Sequence, residues 1–124
     1  MYLTNITMAE LETSIKKNPI VIIPLGSLEE HGPHLPLGTD TIQIEEVLKI
    51  VEKRTNVFIA PSINYGVCRS TEEHIGTVSI TPQTLRNLIT DLLSGLKKQG
   101  FKIIFLISGH AGKLHSFSVI EACE

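Results

Sequence analysis

The chain has 124 residues, of which 42% are hydrophobic and 19% charged, and its net charge is −2 at neutral pH. This composition is typical of one globular domain with a buried core and excludes a disordered chain. The lack of a basic run argues against a nucleic-acid-binding surface, and no apolar run is long enough to span a membrane. The amino terminus has no features of a secretion signal, so we expect a cytoplasmic protein that binds neither nucleic acid nor membrane.

The first half of the chain predicts two helices and two strands. A capping box opens a short helix within residues 7–17. The apolar run 19–26 has no polar alternation, which predicts a strand covered on both faces. A second helix is expected over 40–54, where Asp40 is also a good N-cap residue. Residues 57–60 predict the second strand.

The second half continues the alternation of strands and helices. Residues 77–80 are a short strand candidate. The clearest helix lies between Thr81, a typical N-cap residue, and Gly100, a typical C-terminal residue. The run 101–107 predicts a third buried strand, and a last helix begins near Leu114. This order predicts an α/β fold with a mostly parallel sheet.

Side chains that bind metals follow the first strand. Glu29 and His31 are two residues apart, so in extended backbone they project to the same side, and Asp40 follows shortly after. Two carboxylates and an imidazole suit Zn²⁺, Mn²⁺ or Fe²⁺ better than Ca²⁺. The loop 108–113 leaves the third strand at the same edge of the sheet, where α/β proteins bind ligands, and it carries His110. We therefore predict Glu29, His31, Asp40 and His110 as metal ligands.

The chain resembles the creatininase (creatinine amidohydrolase) family. Residues 26–40 read GSLEEHGPHLPLGTD, close to the family pattern G-S-x-E-Q-H-G-P-H-L-P-L-x-T-D. The resemblance continues through 61–66 and 73–77, and residues 108–110 resemble the family's N-G-H. It covers almost the whole chain and implies a three-layer α/β/α sandwich with two divalent metal ions. The resemblance also implies that Asp40 bridges the two ions.

Two departures from the family pattern limit this resemblance. Family members are considerably longer, so we expect residues 1–124 to be the amino-terminal portion of a longer domain, with an unpaired edge at the strand near 101–107. Creatininases proper have a glutamate two residues after the ligand histidine, where this chain has Gly112. The chain is more similar to branches with G-H-G-G-N, such as an archaeal formamide hydrolase, although Ala111 and Lys113 differ there. The resemblance therefore implies that the second metal site is incomplete within these residues, and that the missing carboxylate would come from a longer chain, which we favour, or from another subunit.

The ligands and the resemblance together predict a metal-dependent amidohydrolase. It would hydrolyse a non-peptide or cyclic C–N amide with a metal-activated water, and we expect a small amide or formamide substrate and a homo-oligomer. One alternative is a formamide hydrolase acting on a formamidopyrimidine nucleotide in flavin or deazaflavin biosynthesis. Others are a half-enzyme that no longer catalyses and a non-catalytic flavodoxin-like binding domain, although no Gly-rich phosphate loop follows the first strand.

The remaining candidate side chains have ordinary interpretations. His34 either orients a ligand or shapes its loop. His74 either approaches the site or lies at the surface, and His115 is predicted at the surface. Cys68 has no evident basic partner, which disfavours a role as nucleophile. The stretch 68–71 contains an arginine and two hydroxyls and is compatible with a phosphorylated substrate.

Overall fold

The computed structural model describes residues 1–124. Its elements are a 3₁₀-helix at Leu3–Asn5, α1 (Met8–Ser14), β1 (Ile20–Leu25), α2 (Thr39–Arg54), β2 (Phe58–Ile59), α3 (Pro82–Gln99), β3 (Ile103–Ser108) and α4 (Lys113–Glu121). The strand predicted at 77–80 is wrong. The Val78 N–H donates to the Leu28 carbonyl and the Ile80 N–H to the Gly66 carbonyl. Each is one hydrogen bond to a different loop, so residues 77–80 do not pair with a neighbouring strand.

The three strands form a parallel sheet in the order β2-β1-β3. The prediction of a fully covered first strand is confirmed, because β1 lies between the other two and is buried from Val21 to Leu25. The prediction of a buried third strand is wrong. Strand β3 is an edge strand, and Ile103 and Phe105 are 47% and 52% exposed.

Helices cover both faces of the sheet, which confirms the α/β sandwich. Alternate β1 side chains such as Val21 and Ile23 pack with Leu85 and Ile89 of α3, and α1 and α4 contribute to the same core. On the opposite face, the β1 residue Ile22 packs with α2. This alternation follows from the two-residue period of a strand, which sends neighbouring side chains to opposite faces.

Local signals in the sequence define the helix ends. The capping box at Thr7 is confirmed, since its side chain and that of Glu10 bond reciprocally to backbone N–H groups. Helix α3 begins after Thr81, whose side chain accepts from the Thr84 N–H, and ends at Gly100 in the left-handed conformation. None of the helices combines the length and the apolar character needed to cross a membrane.

Candidate metal centre

The four predicted ligands converge at the carboxyl edge of the sheet. Glu29, Asp40 and His110 are 6–7% exposed, and His31 is half-buried. Ligand atoms of Glu29, His31 and Asp40 lie within 4.8 Å of one another. The loops after β1 and β3 meet here because parallel strands end on the same side of the sheet. The structure thus brings these residues together, and their role as metal ligands stays a prediction.

Asp40 lies in the centre of the cluster. Its Oδ1 is 3.0 Å from His31 Nε2, and its Oδ2 is 2.9 Å from His110 Nδ1. The Ser27 hydroxyl also donates to Oδ2 at 2.6 Å. The N-cap role considered for Asp40 is wrong, because Gly38 is the N-cap of α2 and Asp40 is in the first turn. Each carboxylate oxygen therefore faces a different imidazole.

Glu29 is positioned by the segment between β2 and α3, which also reaches this edge of the sheet. Its Oε1 lies 2.8 Å from His110 Nδ1, and its Oε2 accepts a hydrogen bond from the Thr71 hydroxyl at 2.5 Å. The Glu29 N–H donates to the Leu37 carbonyl within its own loop. Thr71 belongs to the long β2–α3 segment, and its position next to Glu29 could not be read from sequence spacing.

The hydrogen bonds of the two histidines place a proton on one nitrogen of each ring. His110 Nε2 lies 3.1 Å from the Val67 carbonyl, and His31 Nδ1 lies 3.1 Å from the Glu29 carbonyl. A carbonyl oxygen only accepts, so these ring nitrogens carry the protons. The other nitrogen of each ring then points at buried carboxylate oxygens. In a protonated ring this nitrogen donates to the carboxylates, and in a neutral ring its lone pair and those of the carboxylates could be directed at a shared cation.

The charge of the cluster also fits a bound cation. Glu29 and Asp40 are buried, and their only ion-pair partners are the imidazoles of His31 and His110. Burial alone disfavours the charged form of Asp40, but the Ser27 hydroxyl and the two imidazoles outweigh it and lower the pKa of this carboxyl. For His31, burial is outweighed by the Glu29 carbonyl and the Asp40 carboxylate, which raise the pKa of the imidazole. Two carboxylates and two imidazoles are ligands that Zn²⁺, Mn²⁺ and Fe²⁺ accept.

His115 packs behind the metal centre, against His110. Its predicted position at the surface is wrong. It is fully buried, and its ring packs edge-to-face against His110 at a centroid distance of 4.8 Å. The Val67 N–H donates to its Nδ1 at 3.3 Å, so its Nε2–H donates to Ser108 Oγ at 3.3 Å. Burial and the neighbouring His110 lower the pKa of His115 to about 4. Neutral His115 thereby fixes the backbone of Val67, whose carbonyl orients His110.

Cys68 is a second residue whose surroundings the sequence did not reveal. It is 1% exposed, and its Sγ lies 4.0 Å from His110 Nε2. Burial and the Glu29 carboxylate raise the pKa of the thiol to about 11. A protonated thiol is a poor nucleophile, which agrees with the sequence interpretation. Of the other candidates, His34 and His74 are exposed.

Close approaches of the backbone require glycine at three positions around the centre. A Cβ atom on Gly26 would lie 2.0 Å from Thr41 Oγ1, and one on Gly109 would lie 2.2 Å from the Asp40 carbonyl oxygen. A Cβ on Gly112 would lie 2.7 Å from His110 Nε2. The first turn of α2 therefore packs directly on the ends of β1 and β3, and the His110 ring packs on Gly112.

The architecture and the ligand set define an α/β protein with a candidate metal centre at the carboxyl edge of its parallel sheet. A family model described as creatinine amidohydrolase matches residues 4–124, and the chain belongs to this creatininase family. This confirms the resemblance drawn from the sequence motifs.

Individual relatives have different names. A 3-dehydro-scyllo-inosose hydrolase of Thermotoga maritima is 29% identical and aligns with 97% of this chain and 41% of its own length. A mycofactocin precursor peptide peptidase of Mycolicibacterium smegmatis is 34% identical, over 84% of this chain and 44% of its own length. A structure titled "Creatininase Mn" superposes with a TM-score of 0.91 at 24% identity, over 98% of this chain and 49% of that chain. The chain thus spans less than half the length of these proteins.

Proposed function

We propose that the chain provides the metal-binding part of an amidohydrolase that cleaves a small non-peptide or cyclic C–N amide. The observation that carries this proposal is the orientation of His31 and His110. Each ring donates one proton to a backbone carbonyl and directs its other nitrogen at a buried carboxylate. Family membership supports a hydrolase and weighs against the flavodoxin-like alternative.

In this proposal the residues of the chain bind and orient the metal ions, and the metal ions would supply the reactivity. Glu29, Asp40 and His110 would bind one divalent ion, and His31 with Asp40 would bind a second. Bound divalent ions lower the pKa of a water molecule and polarise an amide carbonyl. The hydroxyls of Ser27 and Thr71 fix the carboxylates, as outer hydrogen-bond partners do in metal sites.

The proposal is tested by metal content and turnover. Protein purified without chelator is expected to retain Zn, Mn or Fe, and Asp40→Asn is expected to lose most of it, because the bound metal would lose the negative charge of this carboxylate. The exposed His74→Asn serves as the matched control. Turnover of creatinine, formamidopyrimidine nucleotides and short peptides is then screened with the natural-length protein. Metal retention equal in Asp40→Asn and wild type would reject the centre.

We also propose that residues 1–124 form the amino-terminal part of a longer domain whose remaining strands pair with β3. The relatives are more than twice as long, and β3 has a free edge with exposed Ile103 and Phe105. Free edges of this kind tend to pair with other strands. Such pairing would also bring the missing carboxylate of the second ion.

Self-association of the 124-residue chain tests this second proposal. We expect the isolated chain to form dimers or larger species in sedimentation experiments, and Phe105→Lys to reduce them. Ile75→Lys is the control, because Ile75 is 97% exposed in the β2–α3 segment, away from the sheet. A stable monomer that binds no hydrophobic dye would contradict the proposal.

A further inference from the structure

A cavity of about 350 Å³ adjoins the candidate metal centre. It lies between the β2–α3 segment and the start of α4, and His110 forms part of its wall together with Arg69, Ser70 and Lys113. Neither Glu29 nor Asp40 lines it, so the negative charges of the centre are outside its walls. This volume is within the range of cavities that bind small molecules.

The cavity has two cationic side chains that are largely free of partners. The ion pairs of basic side chains in this protein involve Lys49, Arg69 and Arg86. Arg69 uses only its Nε, in a 3.8 Å contact with Glu72, so its two terminal nitrogens have no carboxylate partner. Lys113 has no ion pair. The positive charge at this cavity is therefore only partly neutralised by the protein, through the single contact of Arg69 with Glu72.

The backbone adds hydrogen-bond donors to the same wall. Gly112 is the N-cap of α4 and provides no side-chain cap, and the first N–H that bonds back to it is that of Ser116. The N–H groups of Lys113 and Leu114, whose residues line the cavity, accordingly have no acceptor within the chain. Free N–H groups at a helix start attract anions, and here they add to the two side-chain charges.

We propose that this cavity binds an anionic group of the substrate, a carboxylate or a phosphate, next to the metal centre. The substrate class is then a small amide that carries such a group. This inference rests on the proposed function, because that function places the amide of the substrate at the metal centre. His110 lies between the cavity and the centre, so the substrate would extend past His110 from one to the other. Arg69 would make paired hydrogen bonds to the anion, and Lys113 would act as a point charge.

Binding of simple anions to chelator-treated protein tests the cavity without the metal. Inorganic phosphate is titrated and followed by ³¹P NMR, and acetate is titrated in a separate arm followed by protein NMR. We expect saturable binding that weakens at least about fivefold in Arg69→Gln and in Lys113→Gln. Lys102→Gln, an exposed cation at the other end of β3, should bind like wild type. Tighter binding of phosphate or of acetate identifies the anionic group.

The outcomes separate this inference from the proposed function. Anion binding that is absent, or unchanged in both cavity variants, would overturn the inference even if the protein binds metal. Conversely, anion binding that depends on Arg69 and Lys113 in a protein that retains no Zn, Mn or Fe would keep the cavity and reject the metal-dependent function.

Discussion

Replacing His115 by phenylalanine tests the buried support of the metal centre. Phenylalanine keeps an aromatic ring against His110 but removes both hydrogen bonds of the imidazole. The N–H of Val67, which is 1% exposed, would lose its acceptor. An unpaired buried donor costs about 1–3 kcal/mol. We therefore expect the free energy of unfolding at pH 7 to fall by about 2 kcal/mol.

Lower pH should reverse this difference. The pKa of His115 is about 4 in the folded protein, against an ordinary value of 6.5. Between these values the unfolded chain binds a proton that the folded protein does not, so this histidine destabilises the fold as the pH falls. Near pH 4 this difference in proton binding lowers the free energy of unfolding of the wild type by about 3 kcal/mol. Phenylalanine does not titrate, so the variant does not lose this stability. The variant should thus become the more stable protein near pH 4.

Urea unfolding of chelator-treated protein at pH 7 and near pH 4 measures both effects. The exposed His74→Phe is the control for placing a phenylalanine at a histidine position outside the core. A constant difference between His115→Phe and wild type at both pH values would refute the assignment of a buried, neutral imidazole.

Two further predictions concern residues around His110. Gly112→Ala should weaken metal binding and lower stability, because its Cβ would lie 2.7 Å from His110 Nε2. Gly95→Ala is the contrasting variant: it has open space around it and should stabilise α3 by up to about 1 kcal/mol. Calorimetric metal titration and thermal unfolding of both variants test these expectations. Cys68 should react with a thiol reagent at pH 8 only after unfolding, since its pKa is about 11 and it is buried. The measurement uses a Cys123→Ser variant, in which Cys68 is the remaining thiol. Rapid labelling of this variant in the folded state would contradict the buried position of Cys68.

The sequence was sufficient to predict those features that depend on local pattern. The helix from Thr81 to Gly100 has a cap, a proline and a terminal glycine at its ends, and these act within a single turn. The convergence of His110 with the residues after β1 was also predictable, because parallel strands end at one edge.

The errors concern features that depend on tertiary contacts. His115 is predicted at the surface because the residues next to it in sequence do not show what covers it. The segment around Val67, which belongs to another loop, packs over it. For strand β3, apolar composition alone predicts burial, whereas the greater length of family members predicts the unpaired edge that β3 has in these residues. Cys68 and Thr71 come from a long segment without regular structure, where spacing carries no information about proximity.

The glycines beneath the first turn of α2 imply that the centre can be lost without changing any of its donors. An alanine at position 26 or 109 would meet atoms of Thr41 or Asp40 at 2.0 Å and 2.2 Å, so the helix start would have to move outward. Such a shift would carry Asp40 away from both imidazoles. Transfer of the centre to another scaffold consequently requires these two backbone contacts as well as the four side chains.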